Sequence, residues 1–355
     1  MQHIAVQKTN APKTKPAIDR LPFGEHFTDH MFLMDYTRGT GWANPRIVPY
    51  GPFQLDPGAA VFHYGQEIFE GLKAYRRPDG GVQLFRYRDN IRRMNQSAER
   101  MCIPEVPEDI VAEGLLALIS LERDWVPSNA DSSLYIRPFI FATDPRIKVA
   151  ASDTYTFCII TSPAGSYFPE GLNPVNILIE ERDVRAVRGG TGYAKCGGNY
   201  AASLRSARLA AKSGFSQVMW LDAIHRKYIE EVGAMNVMFK IDGKVITPAL
   251  TDTVLDGITR KSVIKLLDSW GTKADERLIS VDELVAAAKA GVLEEAWGTG
   301  TAATIAPIGR LCYAGETFVV GDGKTGALTR KIYDNLTGIQ CGTLADPFGW
   351  TEQIC

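Results

Sequence analysis

Gly189-Gly-Thr-Gly-Tyr-Ala-Lys195-Cys-Gly-Gly-Asn-Tyr200 is the stretch on which the reading of this chain turns. A single lysine sits among glycines, and helical spacing starts just after it, through Tyr200, Leu204, Ala207 and Ala211, to stop at Gly214. Upstream, Val175 to Glu180 is a predicted strand. Downstream, Val218–Leu221 and Tyr228–Glu231 form a predicted hairpin, and Val237, Phe239 and Ile241 alternate up to an Asp242-Gly243 turn that predicts another. Ser280-Val-Asp-Glu283 is a capping box opening a helix that Gly291 closes. Regular strand–helix alternation, which a doubly wound sheet requires, is not the pattern here.

The first half has the same mixed character. Arg76 to Gly81 is a turn between Leu72–Tyr75 and Val82–Phe85. Helices are predicted over Arg88–Met101, with Ile91, Met94 and Ala98 on one face, and over Ile110–Leu121; Tyr135–Ala142 and Thr154–Thr161 read as buried strands. Composition shifts to Gly, Pro, Ser and Asn over Ala164–Pro174. The expected architecture is α/β of the α+β kind, two mixed domains with largely antiparallel sheets and hairpins. The first covers 1–166, a loop covers 167–178, and the second covers 179–355.

Length and charge bound the function. The 355 residues are 45% hydrophobic and carry a net charge of −2, without a basic stripe, so nucleic acid is not an expected partner. No apolar run approaches the ~20 residues that span a bilayer, and no membrane association is expected. The N-terminus reads as an extended arm rather than a secretory signal. Six cysteines lie scattered without a C-x-x-C pair, which predicts buried, reduced thiols in a cytoplasmic protein; no metal ligands are assigned. Cys196, beside Lys195, reads as a small filler of a tight turn rather than a nucleophile.

Lysine forms Schiff bases with carbonyl cofactors, pyridoxal phosphate above all, and glycines beside it leave room for the ring. That cofactor also requires an acid at its ring nitrogen, a donor at its phenolate oxygen and a cradle for its phosphate. Glu231, with Gly233 and Ala234 beside it, is the candidate acid; a solvated carboxylate at a hairpin end is the plainer alternative. Tyr200, five residues beyond Lys195, is placed to reach the phenolate. Gly298-Thr-Gly-Thr301-Ala302-Ala303 and the helix entry at Gly257-Ile258-Thr259 both offer N–H groups to an anion. The phosphate's cation is one of Arg86, Arg88, Arg92 and Arg93, and spacing does not choose among them. A dinucleotide fingerprint is absent.

Together these strings resemble the branched-chain amino acid aminotransferases, of the fold-type IV pyridoxal phosphate enzymes. The resemblance runs through Phe23-Gly-x-x-Phe27, Phe62 to Tyr75, Tyr135-Ile-Arg-Pro138, Lys195 to Tyr200, Glu231 to Asn236, Leu255 to Thr259 and Gly298 to Ala302, in the family's order. It implies a homodimer with the cofactor at the domain interface, and transamination of leucine, isoleucine and valine with 2-oxoglutarate by a ping-pong course. It implies Lys195 as the cofactor lysine, Glu231 at the ring nitrogen, Tyr200 at the phenolate oxygen, and Arg93, Gly257, Ile258, Thr259 and Thr301 at the phosphate. Tyr135, with the backbone of Thr301 and Ala302, would take the substrate α-carboxylate. Phe27, Tyr64, Phe69 and Tyr167 would line the side-chain pocket, with Tyr64 supplied by the partner subunit, and Arg137 would meet the distal carboxylate of glutamate.

Two departures stand out. Ala303 and Ala306 occupy the positions where many animal members carry a redox-active C-x-x-C, so no thiol switch is expected. Ala234 replaces a threonine of those members, which leaves the preference among the three branched substrates open. A D-amino-acid aminotransferase or an aminodeoxychorismate lyase shares the fold and the Lys/Glu pair. The N-terminal motifs argue against both.

Overall fold

The computed structural model describes residues 3–18, 21–129, 132–165 and 172–354. The backbone divides into two compact units, one of Met1–Tyr167 with Ala194–Gly197 and Gly338–Cys355, the other of Phe168–Tyr193 with Gly198–Thr337.

The first unit holds strands β1 (Ala5–Val6), β2 (His30–Thr37), β3 (Gly41–Pro49), β4 (Glu67–Phe69), β5 (Leu72–Arg76), β6 (Val82–Phe85), β7 (Ser133–Ala142) and β8 (Thr154–Ala164). Its helices are α1 (Ala60–Tyr64), α2 (Tyr87–Arg100) and α3 (Glu108–Leu121). Among the described residues the strands run in the order β1-β3-β2-β8-β7-β5-β6, with β4 added beside β7. All of these pairings are antiparallel except β1 with β3. Val and Ile alternate less than a one-sided sheet would need, and β8 is buried on both faces over much of its length. Helix α2 turns Ile91, Met94 and Ala98 inward, as their spacing predicts, where they meet Phe32, Leu84 and Phe157. The Ile91 and Met94 side chains each contribute ~1.5–3 kcal/mol on burial.

The second unit holds β9 (Val175–Ile179), β10 (Gln217–Leu221), β11 (Ile229–Val232), β12 (Asn236–Ile241), β13 (Lys244–Pro248), β14 (Ala274–Arg277), β15 (Leu293–Gly300), β16 (Thr304–Tyr313) and β17 (Glu316–Val319). Helices α4 (Gly197–Lys212), α5 (Ile258–Ser269), α6 (Val281–Lys289) and α7 (Ala327–Cys341) complete the helical complement. The sheet order is β11-β10-β9-β16-β15-β12-β13-β14, with β17 beside β16. Both predicted hairpins form: β10 pairs antiparallel with β11, and β12 with β13 across an Asp242-Gly243 turn whose φ values are 47° and 74°. Both values lie in the left-handed region that type I′ turns require. The Ser280 side chain accepts from the Glu283 N–H at 3.0 Å, as the capping box predicts.

Two expectations need correction. The final strand, β18 (Thr351–Gln353), pairs antiparallel with β6, so the chain from Gly338 onward returns to the first unit rather than continuing the second. Backbone hydrogen bonding to a distant edge is invisible to local composition. Nor are all the thiols buried: Cys158 and Cys196 are, but Cys102 is exposed at a left-handed position (φ 54°) beyond α2. No helix among the described residues is long and apolar enough to cross a membrane.

Candidate active site

Lys195 belongs to the short Ala194–Gly197 segment that joins the first unit. Its N–H donates to Ser97 Oγ on α2 at 2.9 Å, and its carbonyl accepts from the Phe69 N–H at 2.9 Å. Both residues beside it in space are fixed by secondary structure, so the lysine stem starts from a rigid base. Its Nζ lies 4.9 Å from the centre of the Phe69 ring. Arg137 lies over the same ring at 4.6 Å, and its Nη2 donates to the Tyr135 hydroxyl at 2.9 Å. Lys195, Phe69, Arg137 and Tyr135 therefore form one contiguous group. Arg137 Nε is buried and has no hydrogen-bond partner among the described residues. Phe27 stacks on Tyr50 with ring centres 5.0 Å apart, and Tyr64, at the end of α1, is 39% exposed. Tyr167 lies outside the described residues.

Directly behind the lysine is a charge that sequence reading passed over. Glu70 is 1% exposed and accepts from Arg93 Nε at 2.7 Å, Arg93 Nη2 at 2.9 Å, Asn90 Nδ2 at 2.8 Å and the Gly71 N–H at 3.0 Å. Burial works against its ionisation, but the Arg93 guanidinium, the Lys195 ammonium and the Asn90 amide outweigh it and hold the carboxyl below the usual range. Of the four arginines left open by spacing, Arg93 is the buried one, at 6% exposure; Arg86 pairs with Asp89 and Arg92 stands exposed. Glu67, on β4, accepts from the Gly197 N–H, and burial pushes its carboxyl up against the opposing pull of Gly197 and Arg137.

The second unit carries the acid. Glu231, on β11, is 3% exposed, which removes the solvated-carboxylate reading. Its Oε1 accepts from the Leu255 N–H at 2.7 Å and lies 3.4 Å from Asn236 Nδ2; Arg185 Nε stands 3.2 Å from its Oε2, as an ion pair rather than an aligned hydrogen bond. Arg185 also donates to the carbonyls of Gly192 and Thr253, which ties the glycine stretch to the acid. The signal for Asn236 lay in the same quoted motif, whereas Arg185 had none. Gly192 owes its identity to packing: a Cβ there would lie 2.7 Å from the Thr253 backbone. The glycines thus let backbone meet backbone, as much as they leave space for a ring.

Apart from Arg93, the candidate anion-binding groups belong to the same unit. Asn236 Nδ2 donates to the Leu255 carbonyl at 2.9 Å, and a Cβ on Gly257 would come within 1.9 Å of Asn236 Oδ1. Gly257 is the N-cap of α5 and offers no side-chain cap, so the first N–H groups of the helix, at Ile258 and Thr259, remain for an anion. Ile258 and Thr259 are buried, while Thr301 and Ala302 sit half-buried in the tight turn between β15 and β16. Tyr200 is half-buried in the first turn of α4, whose entry is fixed by Asn199 bonding to Thr191. A helix N-terminus without a side-chain cap, the buried Thr259, the half-buried Thr301 and Tyr200 and a buried carboxylate braced by an N–H group and an arginine suit a flat, phosphorylated heterocycle.

Residues 67–311 match the family model of the class IV amino-transferases. The chain is 54% identical to branched-chain-amino-acid aminotransferase 2 of Bacillus subtilis over 99% of its length and 97% of that protein's, and 52% identical to branched-chain-amino-acid transaminase 1 of the same organism over 99% of each. The branched-chain amino acid aminotransferase of Escherichia coli superposes with a TM-score of 0.77 at 27% identity, covering 92% of this chain and 99% of that one. The fold also matches the Thermobaculum terrenum enzyme solved in its PLP form, with a TM-score of 0.74 at 22% identity over 91% of this chain and 98% of that one. The chain belongs to the pyridoxal phosphate-dependent class IV aminotransferases, in the family of branched-chain-amino-acid aminotransferases.

Proposed function

We propose that the protein transfers the amino group of L-leucine, L-isoleucine or L-valine to 2-oxoglutarate, giving branched 2-oxo acids and L-glutamate, with pyridoxal phosphate carried on Lys195. The observation that carries this reading is Glu231: a carboxylate 3% exposed yet fixed by an N–H, an amide and an arginine. Such an arrangement suits a protonated ring nitrogen. The bound cofactor supplies an electron sink for the pair left when the substrate's Cα–H bond breaks.

The protein's own groups do the rest. With the cofactor bound, Lys195 Nζ would take the proton from Cα and return it across the transferred nitrogen, to the cofactor carbon that had carried the carbonyl. Arg93, the N–H groups of Ile258 and Thr259, and Thr301 hold the phosphate, while Tyr200 donates to the phenolate oxygen. Tyr135 and the backbone of Thr301 and Ala302 receive the α-carboxylate. Phe27, Phe69 and Tyr64 take the branched side chain. Arg137, with its buried Nε that has no hydrogen-bond partner among the described residues, receives the distal carboxylate of glutamate. We infer that the enzyme works as a homodimer, consistent with the exposure of Tyr64, and in the reducing cytoplasm, consistent with the free cysteines among the described residues.

The test is the absorbance spectrum of the protein with pyridoxal phosphate, before and after L-isoleucine is added without an acceptor. Conversion of the lysine-bound band to the pyridoxamine form supports the reading. Conversion by D-alanine alone would move the assignment to the D-specific relative, and absence of a lysine-bound band would sink it. Lys195→Ala should abolish turnover, a loss beyond the ~10²–10⁴-fold of a general base alone, whereas Tyr200→Phe should only reduce it. Sedimentation of the holoenzyme tests the dimer.

A further inference from the structure

A cavity of about 280 Å³ opens at the β10–β11 edge of the second unit, lined by Arg188, Asp222, Ile224, Glu230, Val254 and Leu278 among others. Glu230 precedes Glu231 on β11, so the two side chains leave the strand on opposite faces. It is 6% exposed. Thr253 Oγ1 donates to its Oε1, but its Oε2 is buried and has no hydrogen-bond partner among the described residues. Asp222, the other acid in the wall, is fully occupied: it accepts from the N–H groups of Ile224, His225, Lys227 and Tyr228 at 2.7 to 3.1 Å. Glu230 is therefore the acceptor that calls for a donor from the cavity. A buried acceptor left unmatched is costly, and a cationic donor matches a carboxylate best.

Arg188 brings the opposite charge. It is exposed and makes no ion pair or hydrogen bond among the described residues. The mixed lining, which includes Thr251, His225 and Tyr228, also carries apolar side chains, with Ile224 63% and Leu278 46% exposed and Val254 buried. We propose that this cavity is a second, non-catalytic site for a free α-amino acid with a short apolar side chain. Its ammonium group meets Glu230, its carboxylate meets Arg188, and its side chain lies against Ile224, Val254 and Leu278. The volume is at the lower end of the ~300–1,000 Å³ of small-molecule sites, which suits one amino acid and excludes a nucleotide. Burial pushes the Glu230 carboxyl up, against the pull of Thr253 and Arg185, and a ligand ammonium would supply the missing counter-charge. Thr253 lies two residues from Leu255, whose N–H holds Glu231, so an occupant bears on the catalytic acid through one short segment.

The experiment is calorimetric titration of L-leucine into holoenzyme whose cofactor has been reduced onto Lys195 with borohydride, alongside Glu230→Gln and Arg188→Ala prepared identically. Mass spectrometry of the reduced protein first shows the adduct on Lys195; its absence would count against the function proposed above and not against this site. The expected result is one leucine per chain, weakened ~10-fold or more in each variant, as for loss of a charge-assisted hydrogen bond. Absence of saturable binding to the wild-type protein, or an affinity in both variants equal to that of the wild type, overturns the proposal. Arg188 is exposed, so its variant keeps the fold and the test holds even where Glu230→Gln does not fold. Ethylammonium bound as tightly as leucine would overturn the carboxylate half of the assignment.

Discussion

Glu70→Ala should be among the most damaging single changes in the first unit, although its side chain makes no expected contact with substrate. The carboxylate is 1% exposed and receives two bonds from Arg93, at 2.7 and 2.9 Å, and one from Asn90 at 2.8 Å. Truncation leaves a guanidinium that is 6% exposed facing an empty pocket. Removing one partner of a buried pair costs ~3–5 kcal/mol, a large share of the ~5–15 kcal/mol that holds a typical domain. With an m-value of ~3 kcal/mol/M, the urea midpoint should fall by ~1–1.7 M. Glu70→Met/Arg93→Met should recover most of that loss, because no lone charge remains, but it should not recover affinity for pyridoxal phosphate. The pH dependence carries the same sign. A folded carboxyl held below its unfolded value contributes stability above about pH 4.3, and the contribution is lost as pH falls through the folded value. The wild-type advantage over the double variant should therefore shrink on acidification below that point. A shift of under ~0.5 kcal/mol for Glu70→Ala, or a double variant no more stable than the single one, would refute the reasoning.

Other perturbations follow from single contacts. Gly257→Ala places a methyl 1.9 Å from Asn236 Oδ1, which must displace the amide that braces Glu231; a loss of ~1–3 kcal/mol in urea stability together with weaker cofactor binding is expected, and unchanged cofactor affinity would contradict it. Burial lowers Lys73 to about 8, so the unfolded chain binds the extra proton between about pH 8 and 10.5 and stability should rise with pH across that window; a Lys73→Met variant whose stability relative to wild type does not fall between pH 7 and pH 10 would count against this. His30 Nε2 accepts from the Thr9 N–H at 2.9 Å, which puts the ring proton on Nδ1 facing Glu122; His30→Phe should free the N-terminal arm, read as faster tryptic cleavage at Lys8 and Lys13.

What the sequence showed well was local. The β12–β13 turn, the capping box at Ser280 and the apolar face of α2 each depend on residues within a few positions, and each formed where the spacing put it. What it hid was non-local. Parallel pairing of β9 with both β10 and β16, and the return of β18 to β6, join segments that carry no mark of one another. The site divides the same way. Lys195 and Glu231 stand in motifs dense with glycine and were legible. Arg185 and Glu70, which hold the acid and the arginine beside them, occupy ordinary strand-flanking positions; only burial reveals that such charges need partners.

Those partners follow one logic in both units. Each unit buries a carboxylate against an arginine, Glu70 with Arg93 and Glu231 with Arg185. Buried pairs of this kind contribute little to stability, since well-packed apolar residues of the same volume often do as well or better by ~1–4 kcal/mol. Their presence is therefore better explained by charge that a ligand requires. A lone Arg93 aimed at a phosphate would be costly before the phosphate arrives, and Glu70 removes that cost while fixing the guanidinium plane. Arg185 stands against the buried Glu231 as its counter-charge, which is the arrangement the proposed contact with a protonated ring nitrogen requires. On this view Arg185 and Glu70 are positioning residues: their loss should be read first in cofactor affinity and in the spectrum of the bound cofactor, before it is read in turnover.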